Sequence, residues 1–172
     1  MELEVYHTQE VRDVILKFPY LAEGNDHWLG DGFYFWQDIE FSEVWGFQQK
    51  CFETNESRQF CIFKSKLYFQ QEEFIDTVFN EYDYYNYVNN IEKFAKIFQG
   101  KFGKKPTLEE FNDFIADTNP WDNIKVIRFQ DIAGSGSTLE VKGFFYKKRI
   151  QIRVNDPDVI SNFELIKNII CR

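Results

Sequence analysis

Apolar positions recur along this chain with two spacings, and the switches between them outline the elements. Residues 2–6, ELEVY, alternate polar with apolar and predict a short strand. Thr8 then stands as the N-cap of a predicted helix over TQEVRDVILKF, where Val11, Val14, Ile15 and Phe18 share one face. Residues 23–32, EGNDHWLGDG, have the composition of a loop. Phe33 to Trp36 predict a second strand, and Asp38 caps a helix over IEFSEVWGFQQK. A strand is expected within RQFCIFKSKLYF, residues 58–69. Helices are expected over 71–80 and 86–99, the second with Val88, Ile91, Phe94, Ala95 and Phe98 on one face. EYDYYNY between them reads as surface loop or helix end.

Gly100 to Pro106 break the pattern, and Thr107 to Glu110 form a T-x-x-E capping box opening a helix to about Ala116. Asn119-Pro120 predicts a turn, IKVIRF (124–129) a strand and AGSGST (133–138) a flexible loop. GFFYKK and RIQIRV read as two more strands or one long one. Asp156-Pro157 is expected to open a final helix through FELIKNII. The sum is an α+β domain spanning residues 1–172, with a helix-rich insertion at about 70–118.

Charge and composition narrow the function classes. A net charge of −8 repels a phosphate backbone, so general nucleic-acid binding is disfavoured. The basic clusters at 101–105 and 147–149 read as solvated surface rather than phosphate sites. Aromatics reach 19%, compatible with a pocket for a planar ring, although a chain rich in Phe, Tyr, Asn, Ile and Lys also fits AT-rich codons. Cys51, Cys61 and Cys171 form no CxxC pair, and with two histidines no zinc ligand set is visible. The odd count predicts reduced thiols and a cytoplasmic protein. The N-terminus lacks the basic and apolar regions of a signal peptide, and no apolar run nears the ~20 residues of a membrane span.

The candidate chemistry starts from GDGFYFWQD, residues 30–38. Two glycines around an acid, directly before an aromatic strand, point to a close approach to the backbone. His7 ends the first strand, Tyr34 sits in the second and Gln151 in a late one. This order resembles the ADP-ribosyltransferase superfamily, in the branch that includes diphtheria toxin and the poly(ADP-ribose) polymerases, and most closely its bacterial members of unknown function. That branch carries a His, a Tyr and a final Glu, Asp or Gln on three separated strands. Its G-x-G-[aromatic or aliphatic]-Y-[F/L] element reads here Gly30-Asp31-Gly32-Phe33-Tyr34-Phe35. The resemblance covers residues 3–46 closely and 124–160 in part; 58–118 has no counterpart in it.

The resemblance implies a split β-sheet core and NAD as substrate. His7 would bond the adenosine-side ribose, the Thr8 backbone would pair with the carboxamide, and Tyr34 would stack on the nicotinamide. Gly30 and Gly32 would admit the dinucleotide, and Trp45 matches an aromatic near the end of the following helix. Gln151 falls where the family's acid holds the ribose 2′-hydroxyl. A neutral amide accepts that bond but supplies no charge to an oxocarbenium-like transition state and no general base. Mono-transfer, rather than chain elongation, is therefore the implied reaction, and Arg149 two residues earlier does not support arginine as acceptor. A bacterial or phage toxin or effector acting on protein or nucleic acid, with a cognate antitoxin or immunity protein, is the implied setting.

The plainer readings stand beside these. A lone strand-end histidine is usually structural, G-x-G before aromatics also makes a tight turn into a core strand, and an alternating strand needs polar residues such as Gln151. Glu140 and Asp31 are rival acids off the family's position. His27, Trp28 and Trp36 are candidate lining residues, with surface or core placement as the alternative. Cys171 reads as inert, and AGSGST lacks the Gly-Lys-Ser/Thr of a P-loop. The rival function is a catalytically silent NAD- or nucleotide-binding or protein-interaction module on the same fold.

Overall fold

The computed structural model describes residues 1–11, 16–23, 29–51, 58–107, 110–111, 114, 122–131 and 148–171. Among the described residues, seven strands and two α-helices follow one another as β1 (Glu2–Glu10), β2 (Phe33–Trp36), α1 (Ile39–Lys50), β3 (Gln59–Tyr68), β4 (Phe74–Asp76), α2 (Glu81–Phe102), β5 (Val126–Gln130), β6 (Ile150–Val154) and β7 (Ile160–Ile170). The class is α+β. The strands form one mixed sheet in the order β4-β5-β6-β2-β1-β3-β7, parallel only between β4 and β5. No described helix is long and apolar enough to cross a membrane.

The main core lies on one face of this sheet. Val5, Phe33, Phe35, Leu67, Ile152 and Val154 are buried together there. Their strands alternate, so every second residue points to this side. The sheet is strongly curved: Phe69, just past β3, meets Phe74 of β4 with ring centroids 5.0 Å apart, although those strands lie at opposite reaches of the sheet order. On the other face, α1 lies on β1 and β3. Phe41, Ser42 and Gly46 are its buried positions, and Gly46 sits against the ring of Phe60. Burying Phe41 alone contributes about 1.5–3 kcal/mol. Farther along the same face, Tyr87 of α2 packs with Ile75, Ile127, Phe129 and Tyr34.

Several expectations hold where the local pattern is strong. β2, α1, β3, β5 and β6 lie where alternation and capping placed them. The Thr107–Glu110 box also forms: the Thr107 hydroxyl accepts from the Glu110 N–H at 3.2 Å, and the Glu110 carboxylate accepts from the Thr107 N–H at 3.0 Å. The body of that predicted helix lies largely outside the described residues, as do AGSGST, most of GFFYKK, His27, Trp28 and Glu140.

Four expectations are corrected. Thr8 does not cap a helix; β1 runs through it to Glu10, with Thr8 opposite Ile62 of β3. Nine consecutive pairs with β3 outweigh the local helical spacing. Residues 71–80 are a 3₁₀ turn, Gln71–Glu73, and then β4, because Phe74 and Ile75 find partners in Val126 and Ile127. EYDYYNY is the start of α2, whose N-cap Asn80 accepts from the N–H groups of Tyr82 and Asp83; the helix continues to Gly103, which has φ 70°. The final segment is β7, not a helix. Asp156 caps only the 3₁₀ turn Pro157–Val159, Asn162 takes a left-handed φ of 52°, and the edge of β3 accepts the strand.

The expectation of reduced thiols also fails. Cys51 follows α1 and Cys171 follows β7, and they form a disulfide with Cα atoms 5.4 Å apart across 120 residues of sequence. α1 rests on β3, and β7 pairs with β3, so the ends of α1 and β7 are brought together by the strand between them. The third thiol, Cys61, is half-buried and free, and burial pushes its pKa up.

Candidate functional site

The turn before β2 is built by contacts within the chain. Gly30 adopts φ 77°, a conformation glycine takes without strain. Its carbonyl accepts the Tyr34 hydroxyl at 2.6 Å. Gly32 pairs through its backbone with Ala22. A Cβ on Gly32 would lie 2.9 Å from Arg153 Cγ and 3.1 Å from the Val154 carbonyl oxygen. The close approach that this glycine allows is therefore made by Arg153, whose Nε and Nη2 donate to the Asp31 carbonyl at 2.9 and 2.7 Å.

Strand register decides which candidates face one another. Tyr6 opposes Trp36, Trp36 opposes Gln151, and Gln151 opposes Phe129, giving one row across β1, β2, β6 and β5. Cross-strand partners share a face, so Tyr34, Trp36, Gln151 and Arg153 lie on the same side. Tyr34 opposes Arg153 in the neighbouring row, and its ring meets Phe129 edge-on at 6.5 Å. Burial is the main cause that raises the Tyr34 phenol to about 12, so it stays protonated and donating at neutral pH.

His7 follows Tyr6 and faces the other side. Its strand is adjacent to that of Tyr34, and Nδ1–H donates to the Tyr34 carbonyl at 3.0 Å. The imidazole itself sits in the core face, 8% exposed, between the rings of Phe35 and Phe163. Its Nε2 is buried without a hydrogen bond of normal geometry. Strands β1, β2 and β6 thus bring His7, Tyr34 and Gln151 into neighbouring positions, but the imidazole is separated from the phenol and the amide by the sheet. Thr8 is buried under α1, its hydroxyl donating to the Ser42 carbonyl at 2.7 Å. Trp45, on α1, holds the Lys50 ammonium 5.2 Å from its ring centroid.

Burial pushes the His7 pKa down, with the Tyr34 carbonyl and the Gln9 side chain offsetting part of the shift. The unfolded state, with a histidine near ~6.5, then binds the proton better. The sign follows: stability is complete above ~6.5 and falls as pH drops below it. Wild type should lose up to about 1.4 kcal/mol more than His7→Gln between pH 7.5 and 5.5. Urea midpoints of both proteins at the two pH values check this; equal slopes would refute it.

Two arginines flank Gln151: Arg149, expected with 147–149 on solvated surface, is instead buried, and Arg153 was not singled out from the sequence. Arg149 is buried, with Nη2 3.0 Å from the Asp131 carboxylate and its guanidinium 5.1 Å from the Trp36 ring centroid. Its Nε is buried with no hydrogen bond. The alternation of RIQIRV carried the signal, because it places Arg149, Gln151 and Arg153 on one face. The face therefore combines aromatic walls, one carboxamide and the Arg153 guanidinium, with Arg149 already paired to Asp131. No group of residues suited to hold a metal ion occurs among the described residues. Comparison of the chain with protein-family models, with curated proteins and with solved structures finds no match.

Proposed function

We propose that this chain binds NAD on the sheet face carrying Tyr34 and Gln151, and that it acts as a mono-ADP-ribosyltransferase on a protein or nucleic-acid acceptor. The observation that supports the reading is the pairing of β2 with β6, which puts Tyr34 and Gln151 on one face at the centre of the sheet. Tyr34 offers a ring to the nicotinamide. Arg153 offsets part of the charge of the pyrophosphate. The Gln151 carbonyl accepts a ribose hydroxyl while the nicotinamide–ribose bond breaks. It brings no negative charge to the electron-poor ribose carbon, so turnover is slow.

A second reading is favoured by one specific observation. The His7 imidazole is buried on the opposite face, and a module lacking both that contact and a carboxylate binds the dinucleotide without cleaving it. Calorimetry with NAD, combined with a nicotinamide-release assay on wild type and Gln151→Glu, separates the two. A transferase should release nicotinamide at least about tenfold faster with the restored carboxylate. Binding without release in either protein leaves the silent module, and no binding by either folded protein overturns both readings.

A further inference from the structure

An extra residue, Ile166, interrupts the pairing of β7 with β3 between Leu165, opposite Phe63, and Lys167, opposite Ile62. Before this bulge the strand is anchored by its own side chains. Ile160 and the preceding Val159 lie in the main core, and Phe163 stacks on Phe63 with ring centroids 4.5 Å apart. The Ser65 hydroxyl donates to the Ser161 carbonyl at 2.8 Å, and the Ser161 hydroxyl to the Lys66 carbonyl at 3.1 Å. Beyond the bulge, residues 167, 168 and 170 are exposed. Besides the ladder to β3, residues 167–171 are held by the exposed Lys167–Glu43 pair and by partly buried Ile169. The Cys171 N–H also donates to the Arg58 carbonyl at 2.8 Å, and the disulfide ties the end to α1. An exposed ion pair contributes little, so the covalent bond is the strongest single tether of this stretch. Its two sulfurs are placed unequally, on buried Cys171 and half-buried Cys51.

We infer that the Cys51–Cys171 bond is a reducible latch on this end of the sheet: once a dithiol opens it, residues 167–171 leave β3 and uncover the edge at residues 59–62, while residues 160–165 stay paired. A thiolate of the dithiol attacks the more accessible Cys51 sulfur, the S–S bond breaks, and Cys171 departs as a thiolate that takes up a proton. The second thiolate of the reductant then attacks the reductant's own sulfur in the mixed disulfide, and Cys51 departs in the same way. The protein gains two electrons and two protons, and the dithiol becomes a disulfide. The freed segment keeps only a short ladder and few buried apolar contacts, the conditions for local opening. β1 and β3 lie between this edge and the strands of Tyr34 and Gln151, so the latch is independent of the NAD reading.

Native-state hydrogen exchange of the full chain, oxidised and after dithiothreitol, tests the latch. On reduction, the amides of residues 167–171 should accelerate about tenfold or more beyond any acceleration in β2 and β6. Their exchange should also stop depending on low urea, because a local opening exposes little surface. Cys171→Ser should show the same split without reductant, and oxidised glutathione should restore protection in reduced wild type but not in this variant. Equal acceleration of the segment and of β2 and β6 would mean that the bond supports the whole sheet rather than its end, and overturns the inference. Unchanged exchange in the reduced protein, or a bond that dithiothreitol opens only in denaturing urea, overturns it as well.

Discussion

Replacing Gly46 with leucine should destabilise the protein by about 3 kcal/mol or more, lowering its melting temperature by roughly 6–12 °C. An ideal Cβ at this position would stand 2.3 Å from Phe60 Cε2 and 2.6 Å from Cδ2, distances that real contacts do not reach. Phe60 cannot swing away cheaply. It is fully buried, and Phe47 meets its ring edge-on at 5.2 Å. A side chain in mid-helix normally gains about 1 kcal/mol over glycine, and here that gain is overwhelmed by the clash. Removing the obstacle tests the cause. Phe60→Ala alone should cost about 3–5 kcal/mol, and the Gly46→Leu, Phe60→Ala double variant should lose clearly less than the sum of the singles. Additive losses, or a neutral Gly46→Leu, would show that α1 does not press on this ring.

Loss of the Cys51–Cys171 bond should cost about 2–5 kcal/mol, seen as a lower urea midpoint for Cys171→Ser or for wild type under dithiothreitol. The chain-entropy model gives about 4.7 kcal/mol for a 100-residue loop, and this loop is longer. Beyond β3, the end of β7 is held by the exposed Lys167–Glu43 ion pair to α1 and by Ile169 and Cys171 packing near Phe60 and Ile62, while Leu165, Ile166 and Ile170 are exposed. Cys61→Ser should leave the midpoint nearly unchanged, since that thiol is free. Three thiols titrating in the denatured, unreduced chain would refute the bond.

What the sequence disclosed was local. The aromatic run Phe33–Trp36, the Asp38 boundary and the alternation of IQIRV each carry their structural cause within a few residues. β7 misled because its aliphatic residues are mostly exposed, so their spacing does not report a core-facing stripe. β4 was hidden because three residues give no period, and the strand exists only through its partner β5. The candidate site divides in the same way. His7 could be put at the end of an alternating strand, Tyr34 in an aromatic run and Gln151 in an alternating strand, each from its own local pattern. Whether their side chains meet depends on the Tyr6–Trp36 register, and a shift of one residue would exchange the faces. The buried state of Arg149 likewise rests on Asp131 and Trp36, which are distant in sequence from each other.

The cross-link between residues 51 and 171 has a topological consequence. While it is intact, unfolding leaves residues 51–171 closed into a ring, with residues 1–50 attached to it as an arm. Such a ring cannot pass single file through a narrow unfoldase or translocation pore: two strands must enter abreast, or the sulfurs must first be separated by reduction.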